Sequence, residues 1–296
     1  MIVVAGEALI DLVPQDRDGG GLTPLVPQLG GGPFNTAVAL GRLGDSVAFC
    51  SRVSTDNFGE ALLDSLREAG VDVSHVQRGE EPTTLAVATV GADGSAGYGF
   101  YVEGTADRLF EAPARLPEGT RAVSFGTNSL VLEPGASAYE ELMRSAAAEG
   151  VFTALDPNIR AGLIPDADAY RERFRSWLPH TTLLKLSEED AEWLGGSPKD
   201  WLEEGPAAVV LTRGGEGLSV LARGVGEVSV PGVRVEVADT IGAGDTVNAA
   251  LLHRLVGREV GALSADDWRD VLSFAARAAA VTVSRAGARP PFAHEL

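Results

Sequence analysis

The stretch Asp239-Thr-Ile-Gly-Ala-Gly-Asp245-Thr-Val-Asn-Ala-Ala-Leu-Leu252 decides how the chain is read. It follows a β-rich segment, Val228 to Val237, and passes through two glycines and an acid into an apolar helical pattern. Gly242 and Gly244 lack a Cβ, so the backbone there can turn sharply and approach another molecule closely. The helix that starts at this turn leaves its first amides without intrahelical partners and carries the positive end of its dipole. Such a turn is an anion site, suited to phosphate. Asp245 sets a carboxylate inside it, where it would repel a phosphate. An ordinary helix start with an acid in its first turn would account for a lone Gly-x-Gly-Asp. Phosphoryl transfer accounts for the longer pattern: amides hold charge on the transferring group while a carboxylate takes the proton of the acceptor hydroxyl. Gly242, Ala243, Gly244 and Asp245 are therefore the candidate catalytic group.

Outward from this run, short β-branched segments alternate with helical patterns. Ile2 to Leu12 reads as one buried strand, and Pro33 to Leu43 as a helix with Pro in its first turn. Further strands are expected at Ser46–Val53, Arg121–Phe125, Phe152–Leu155, Thr182–Leu186 and Ala207–Thr212. Helices are expected at Asn57–Ala69, Ser137–Glu149, Tyr170–Trp177 and Glu188–Leu194. This alternation predicts an α/β fold with a largely parallel sheet and helices on both faces. Two stretches break it. Gln15 to Gln28 is rich in Gly and Pro, and Thr84–Val90 with Ala96–Val102 flank Gly91-Ala-Asp-Gly94 as a hairpin would. These pieces predict a small β-sheet over the mouth of the main one. Without repeats or a long linker, residues 1–296 read as a single domain with lid segments at about 13–29 and 84–104.

Ligands of open α/β sheets bind beyond the carboxyl ends of the strands, and the remaining polar candidates fall at such ends. Asp11 closes the first strand and, as an acceptor-only carboxylate, suits a grip on two hydroxyls; capping a neighbouring loop is the plainer role. Gly30-Gly31-Gly32-Pro33-Phe34-Asn35 is a flexible turn into a helix, where Asn35 adds a group that both donates to and accepts from a sugar hydroxyl. Asp156-Pro-Asn158-Ile-Arg160 follows a buried strand. It reads either as a turn with a surface Arg or as a source of charge-dispersing, substrate-orienting groups in Asn158 and Arg160. Thr212-Arg-Gly214-Gly-Glu-Gly217 is either a plain hairpin or a wall of a nucleotide site.

The net charge of −18 argues against nucleic acid and anionic membranes as partners. No apolar stretch approaches a membrane span, Cys50 is the only cysteine, and Met1-Ile-Val-Val-Ala-Gly runs directly into a strand pattern without a basic leader. A cytoplasmic protein is expected. The Gly-x-x-x-x-Gly-Lys-Ser/Thr phosphate loop, the Gly-x-Gly-x-x-Gly dinucleotide fingerprint and the Gly-x-Ser-x-Gly elbow are missing, and the histidines lack metal-ligand spacing. A nicotinamide-dependent oxidoreductase is thereby disfavoured. A non-catalytic sugar- or nucleotide-binding regulator has no use for Asp245.

Gly30 to Asn35 followed by Thr-Ala-Val-Ala-Leu-Gly-Arg-Leu-Gly44, together with Asp239 to Leu252, resembles the two signatures of the ribokinase-like (PfkB) carbohydrate kinases. The resemblance runs from Gly6-Glu-Ala-Leu-Ile-Asp11 to Arg285-Ala-Gly287, and the first of these, with Asp156 to Arg160, is similar to the bacterial fructokinase branch. It implies a three-layer α/β/α fold with a β-sheet lid that closes on the sugar and mediates homodimers. Asp245 would be the base and the Gly242–Gly244 amides the anion hole. Asp11, Gly31, Gly32, Asn35, Asn158 and Arg160 would bind sugar, with Gly30 and Gly31 as the lid hinge. Lys185, Ser187, Thr212, Gly214, Gly217 and Gly244 would serve ATP. Mg²⁺ would be contacted through water by Asp190, in Ser187-x-x-Asp190, where the family has Asn-x-x-Glu. A monovalent cation such as K⁺ would lie by Asp239, Ile241, Thr282, Arg285 and Gly287, with Pro291 where some relatives place a hydroxyl. The implied reaction is ATP-dependent phosphorylation of fructose to fructose 6-phosphate. The alternative is a 2-keto-3-deoxygluconate kinase, whose substrate carboxylate would need groups such as Tyr98, Tyr101 and Arg108.

Overall fold

The computed structural model describes residues 1–15, 23–90 and 96–296. The first half of the chain forms β1 (Ile2–Ala5), β2 (Leu9–Pro14), β3 (Leu25–Gly30), α1 (Gly32–Arg42), β4 (Val47–Ser54), α2 (Asn57–Glu68), β5 (Val76–Gly79), β6 (Leu85–Val90), β7 (Ala96–Tyr101), β8 (Ala122–Gly126) and α3 (Gly135–Ala148). The second half forms β9 (Phe152–Asp156), α4 (Ala167–Trp177), β10 (Leu183–Ser187), α5 (Glu188–Leu194), α6 (Pro198–Glu204), β11 (Ala208–Thr212), β12 (Leu218–Ala222), β13 (Gly226–Val230), α7 (Ala243–Leu255) and α8 (Ala265–Val283).

Nine strands make the central sheet in the order β13-β12-β11-β10-β9-β8-β1-β4-β5, parallel from β11 to β5, with β12 and β13 antiparallel. Successive side chains of a strand point to opposite faces, and the strands are apolar on both. Ile2 and Val4 join one core with α1, α2, α7 and α8, whereas Val3 and Ala5 join the other with α3, α4, α5 and α6. The same alternation divides Ala208 and Val210 from Val209 and Leu211. The result is three layers, as expected. Chain order reverses on either side of β1, which pairs with both β4 and β8. The crevice at the carboxyl ends of β1 and β8 is therefore where a ligand site belongs. Among the described residues, no helix is long and apolar enough to cross a membrane.

The second sheet, in the order β3-β2-β6-β7, is antiparallel apart from its β2–β6 pair. It contains the expected hairpin strands; the Gly91–Gly94 turn and residues 16–22 of the Gly/Pro-rich stretch lie outside the described residues. Three expectations need correction. The apolar run from Ile2 to Leu12 is two strands in two sheets, separated at Gly6, whose φ of 153° marks the break. The small sheet consequently begins at Leu9, and Asp11 lies within one of its strands rather than at the end of the first core strand. The β-rich segment before the Gly-Ala-Gly turn stops at Val230, because Pro231 cannot donate to a ladder.

Candidate active site

Asp245 enters the site on the first turn of α7. Gly242 caps this helix in the left-handed conformation (φ 76°), and its carbonyl accepts from Thr246 N at 2.9 Å and Thr246 Oγ1 at 2.8 Å. Ala243 N is turned to the Thr240 carbonyl at 3.3 Å, so, among the described residues, the Gly242, Gly244 and Asp245 amides are the ones at the helix start left to face an anion. The Asp245 side chain is buried, and Asn35 Nδ2, from α1, donates to its Oδ2 at 2.9 Å. Burial pushes its pKa up; Asn35, Lys185 and Arg160 oppose the shift and Asp11 adds to it. A raised carboxylate is better matched to proton abstraction than a free one.

A cavity of about 270 Å³ opens in front of Asp245. Asp11, Gly31, Gly32, Asn35, Asn158 and Arg160 all line it, so every sugar-binding candidate converges there. Gly32 is required by space: a Cβ would stand 2.5 Å from Thr127 Oγ1 and 3.3 Å from Asp245 Oδ1. Gly31 has φ 107°, and a Cβ on Gly30 would collide with the Asp11 carboxylate. Two non-glycine residues at the strand ends hold positive φ, Thr127 at 59° and Asn158 at 40°. Such strain persists only where surrounding contacts enforce it. Here the Asn158 oxygens hold Arg160 Nη1, the carbonyl at 3.1 Å and Oδ1 at 2.8 Å, which aims the guanidinium. Burial lifts Asp11 to about 6, against the pull of Arg160.

The second cavity, about 540 Å³, is lined by Thr212, Gly214, Gly217 and Gly244, together with Val233, Val235 and Val237 of the segment after β13. Thr212 to Gly217 is thus both the hairpin turn between β11 and β12 and a cavity wall. Thr240 and Gly244 line both cavities, so the two meet at the start of α7.

Lys185 and Ser187 are not among the residues lining this second cavity. The register pairing Leu184 with Leu155 brings Lys185 beside Asp156, and Lys185 Nζ donates to Asp156 Oδ2 at 2.7 Å in a buried pair. The same ammonium stands 3.1 Å from where a Gly244 Cβ would be, at the anion site itself. Ser187 caps α5 reciprocally with Asp190. Asp190 also accepts from Ile159 N at 2.8 Å, so it steadies the Asn158–Arg160 turn. Asp239 accepts from Ile241 N at 3.0 Å and Gly287 N at 2.9 Å, which brings those three together. Arg285 directs its side chain to Glu295, and the Thr282 hydroxyl is buried against Thr246 at 2.8 Å; only main-chain carbonyls of these two could face a cation.

The sequence reading missed Glu7, Thr127, Thr240 and Phe100, all of which line the first cavity. Glu7 is buried and accepts from Ser129 N at 3.1 Å and from the Ser129 hydroxyl. Burial raises its pKa to about 7. Of the groups suited to a substrate carboxylate, Tyr98 lines the cavity, whereas Tyr101 and Arg108 do not. Arg108 is spent on Glu103 and the carbonyls of Val102 and Glu133.

Known proteins resemble the chain over most of its length. A fructokinase of Rhizobium leguminosarum bv. trifolii is 40% identical over 264 residues, covering 86% of this chain and 79% of its own length. Fructokinase-2 of Zea mays is 32% identical, covering 98% of this chain and 90% of its own. The crystal structure of a fructokinase from Xylella fastidiosa with bound ATP superposes with a TM-score of 0.86 at 28% identity, covering 97% of this chain and 93% of that one. The family model described as pfkB family carbohydrate kinase matches residues 1–295, and the chain belongs to that family.

Proposed function

We propose that the protein is an ATP-dependent fructokinase that converts fructose to fructose 6-phosphate. One observation carries the reading: the buried Asp245, held by Asn35, lines a polar cavity that meets a nucleotide-sized one at Thr240 and Gly244. The similarity to fructokinases supports the choice of sugar.

Fructose lies in the first cavity, its hydroxyls held by Asp11, Asn35, Asn158 and Arg160. ATP lies in the second, its base against Val233, Val235 and Val237 and its phosphates toward Gly244. Asp245 takes the proton of the primary hydroxyl as that oxygen bonds to the γ-phosphorus, and the bond to the ADP oxygen breaks in line. The Gly244 and Asp245 amides, Lys185 and Arg160 balance charge on the transferring group. Closure of the β-lid excludes water, which would otherwise hydrolyse ATP. Mg²⁺ would arrive on the nucleotide phosphates, whose oxygens are ligands of the kind it prefers. The all-oxygen set of the Asp239 carboxylate and the carbonyls of Ile241, Thr282, Arg285 and Gly287 fits K⁺, which would supply positive charge beside the anion site. The whole chain acts in this reading as one domain with a lid, in the cytoplasm, as a homodimer.

The cavity offers Tyr98 and Arg160 but neither Tyr101 nor Arg108, which disfavours a 2-keto-3-deoxygluconate kinase. ADP release measured over fructose, 2-keto-3-deoxygluconate, ribose and adenosine tests the reading. Fructose is expected to give the highest kcat/KM; preference for another acceptor would overturn the assignment.

A further inference from the structure

Beside Asp245 lies a third, much smaller cavity of about 10 Å³, roughly the space one water needs. It is walled by Thr36 of α1, Ser124 of β8, Asp156 of β9, and Asp245 and Asn248 of α7. Two of the buried oxygens, Asp156 Oδ1 and Asn248 Oδ1, accept no hydrogen bond from any described residue. Their neighbours are engaged: Lys185 Nζ bonds Asp156 Oδ2, and Asn248 Nδ2 donates to Ser124 Oγ at 3.2 Å. Buried acceptors of this kind are satisfied by protein or by ordered water, and a polar, water-sized space adjoins both.

We propose that this cavity is a water site that couples Asp245 to the Asp156–Lys185 pair, making Asp156 and Asn248 positioning residues for the catalytic base. The proposal rests on the reading of Asp245 as that base. A water here donates one hydrogen to Asp156 Oδ1 and the other to Asn248 Oδ1, so its lone pairs face Asp245. That orientation disfavours the ionised carboxylate and welcomes the protonated one, strengthening the base. Asp156 itself adds negative charge nearby. Asp245 is faced by Lys185 from β10, Arg160 from the turn after β9 and Asp11 from the lid. Asp156 is faced by Lys185, Asp190 of α5, Asp245 and Tyr170 of α4. Burial is the largest cause lifting both carboxyls, Asp156 to about 6.

Asp156→Asn keeps the shape and removes the charge, whereas Asn248→Leu fills the cavity and removes its oxygen. Each is expected to lower the pKa of Asp245 by ~1 unit, as expected for loss of a nearby like charge or an opposing dipole. Carboxyl ¹³C titration of the nucleotide-free protein reads that pKa directly. The acid limb of the kcat profile should move down equally, with plateau kcat falling about tenfold and the KM for fructose unchanged. An unmoved titration and acid limb in folded Asn248→Leu would overturn the proposal. Asp156→Asn leaves Lys185 buried without its partner, so a crystal structure of the unaltered protein provides the check independent of any variant. Water density within hydrogen-bond distance of Asp156 Oδ1 and Asn248 Oδ1 supports the site, and an empty cavity overturns it. Asp245→Asn is assayed alongside: near-normal turnover there defeats the base assignment, whereas a dead Asp245→Asn with an unshifted Asn248→Leu defeats only the water coupling.

Discussion

In the proposed function Asp11 accepts hydrogen bonds from two sugar hydroxyls, which requires its ionised form, yet burial has lifted its pKa to about 6. Protonation below that value converts an acceptor into a donor, so the KM for fructose should rise as pH falls through 6 and stay level above 7. Asp11→Asn should raise KM about tenfold at pH 7.5, the scale of losing a hydrogen bond to a charged group, and should abolish the acid dependence. Steady-state KM values between pH 5 and 8 decide this; a flat profile in the unaltered protein counts against Asp11 as a sugar ligand. Asp11 and Asp245 were legible in the sequence because each is an acid set in an otherwise apolar or glycine-rich run. Glu7 was not. Its partner, Ser129, is 122 positions away, and no local spacing announces a contact of that range.

Among the elements, explicit helix starts were used unevenly: the helices at Pro198–Glu204 and Ala265–Val283 were not anticipated, although Ser197–Asp200 and Ser264–Asp267 form capping boxes there. Glu188–Leu194 has the expected bounds, and its Ser187–Asp190 capping box explains why. The division of Ile2–Leu12 between two sheets was hidden, because hydrophobic periodicity reports burial and not which sheet provides it; Gly6 was the only local sign. The small second sheet is present as expected, and its edge strands β3 and β7 expose Leu25 and Tyr101, the latter by 66%. Exposed apolar side chains on an open edge mark a pairing surface, which supports a dimer through the lid. Tyr101→Glu should shift the protein from dimer to monomer in sedimentation velocity. A monomer in the unaltered protein would remove the dimer from the proposed function.

At the scale of the molecule, the site opposes stability. Burial holds Glu7 at about 7 against an ordinary value of 4.5, so the folded state binds its proton more tightly than the unfolded chain. The corresponding stability is fully present below about 4.5 and is lost as pH rises through 7. The net charge of −18 acts in the same direction, since further ionisation adds self-repulsion. The Tm of the ligand-free protein should therefore fall between pH 5 and 7.5, and Glu7→Gln should flatten the decline; an unchanged slope in that variant would exclude Glu7 as its source. In the proposed function, both sheets and the two cavities serve one arrangement, a base at the border between acceptor and nucleotide. Turnover of ATP with saturating fructose by Asp245→Asn, folded as judged by its melting profile, tests that arrangement most directly. Loss of ~10²-fold or more in kcat is expected when a general base is removed, and turnover within a few-fold of the unaltered protein would contradict the role assigned to Asp245.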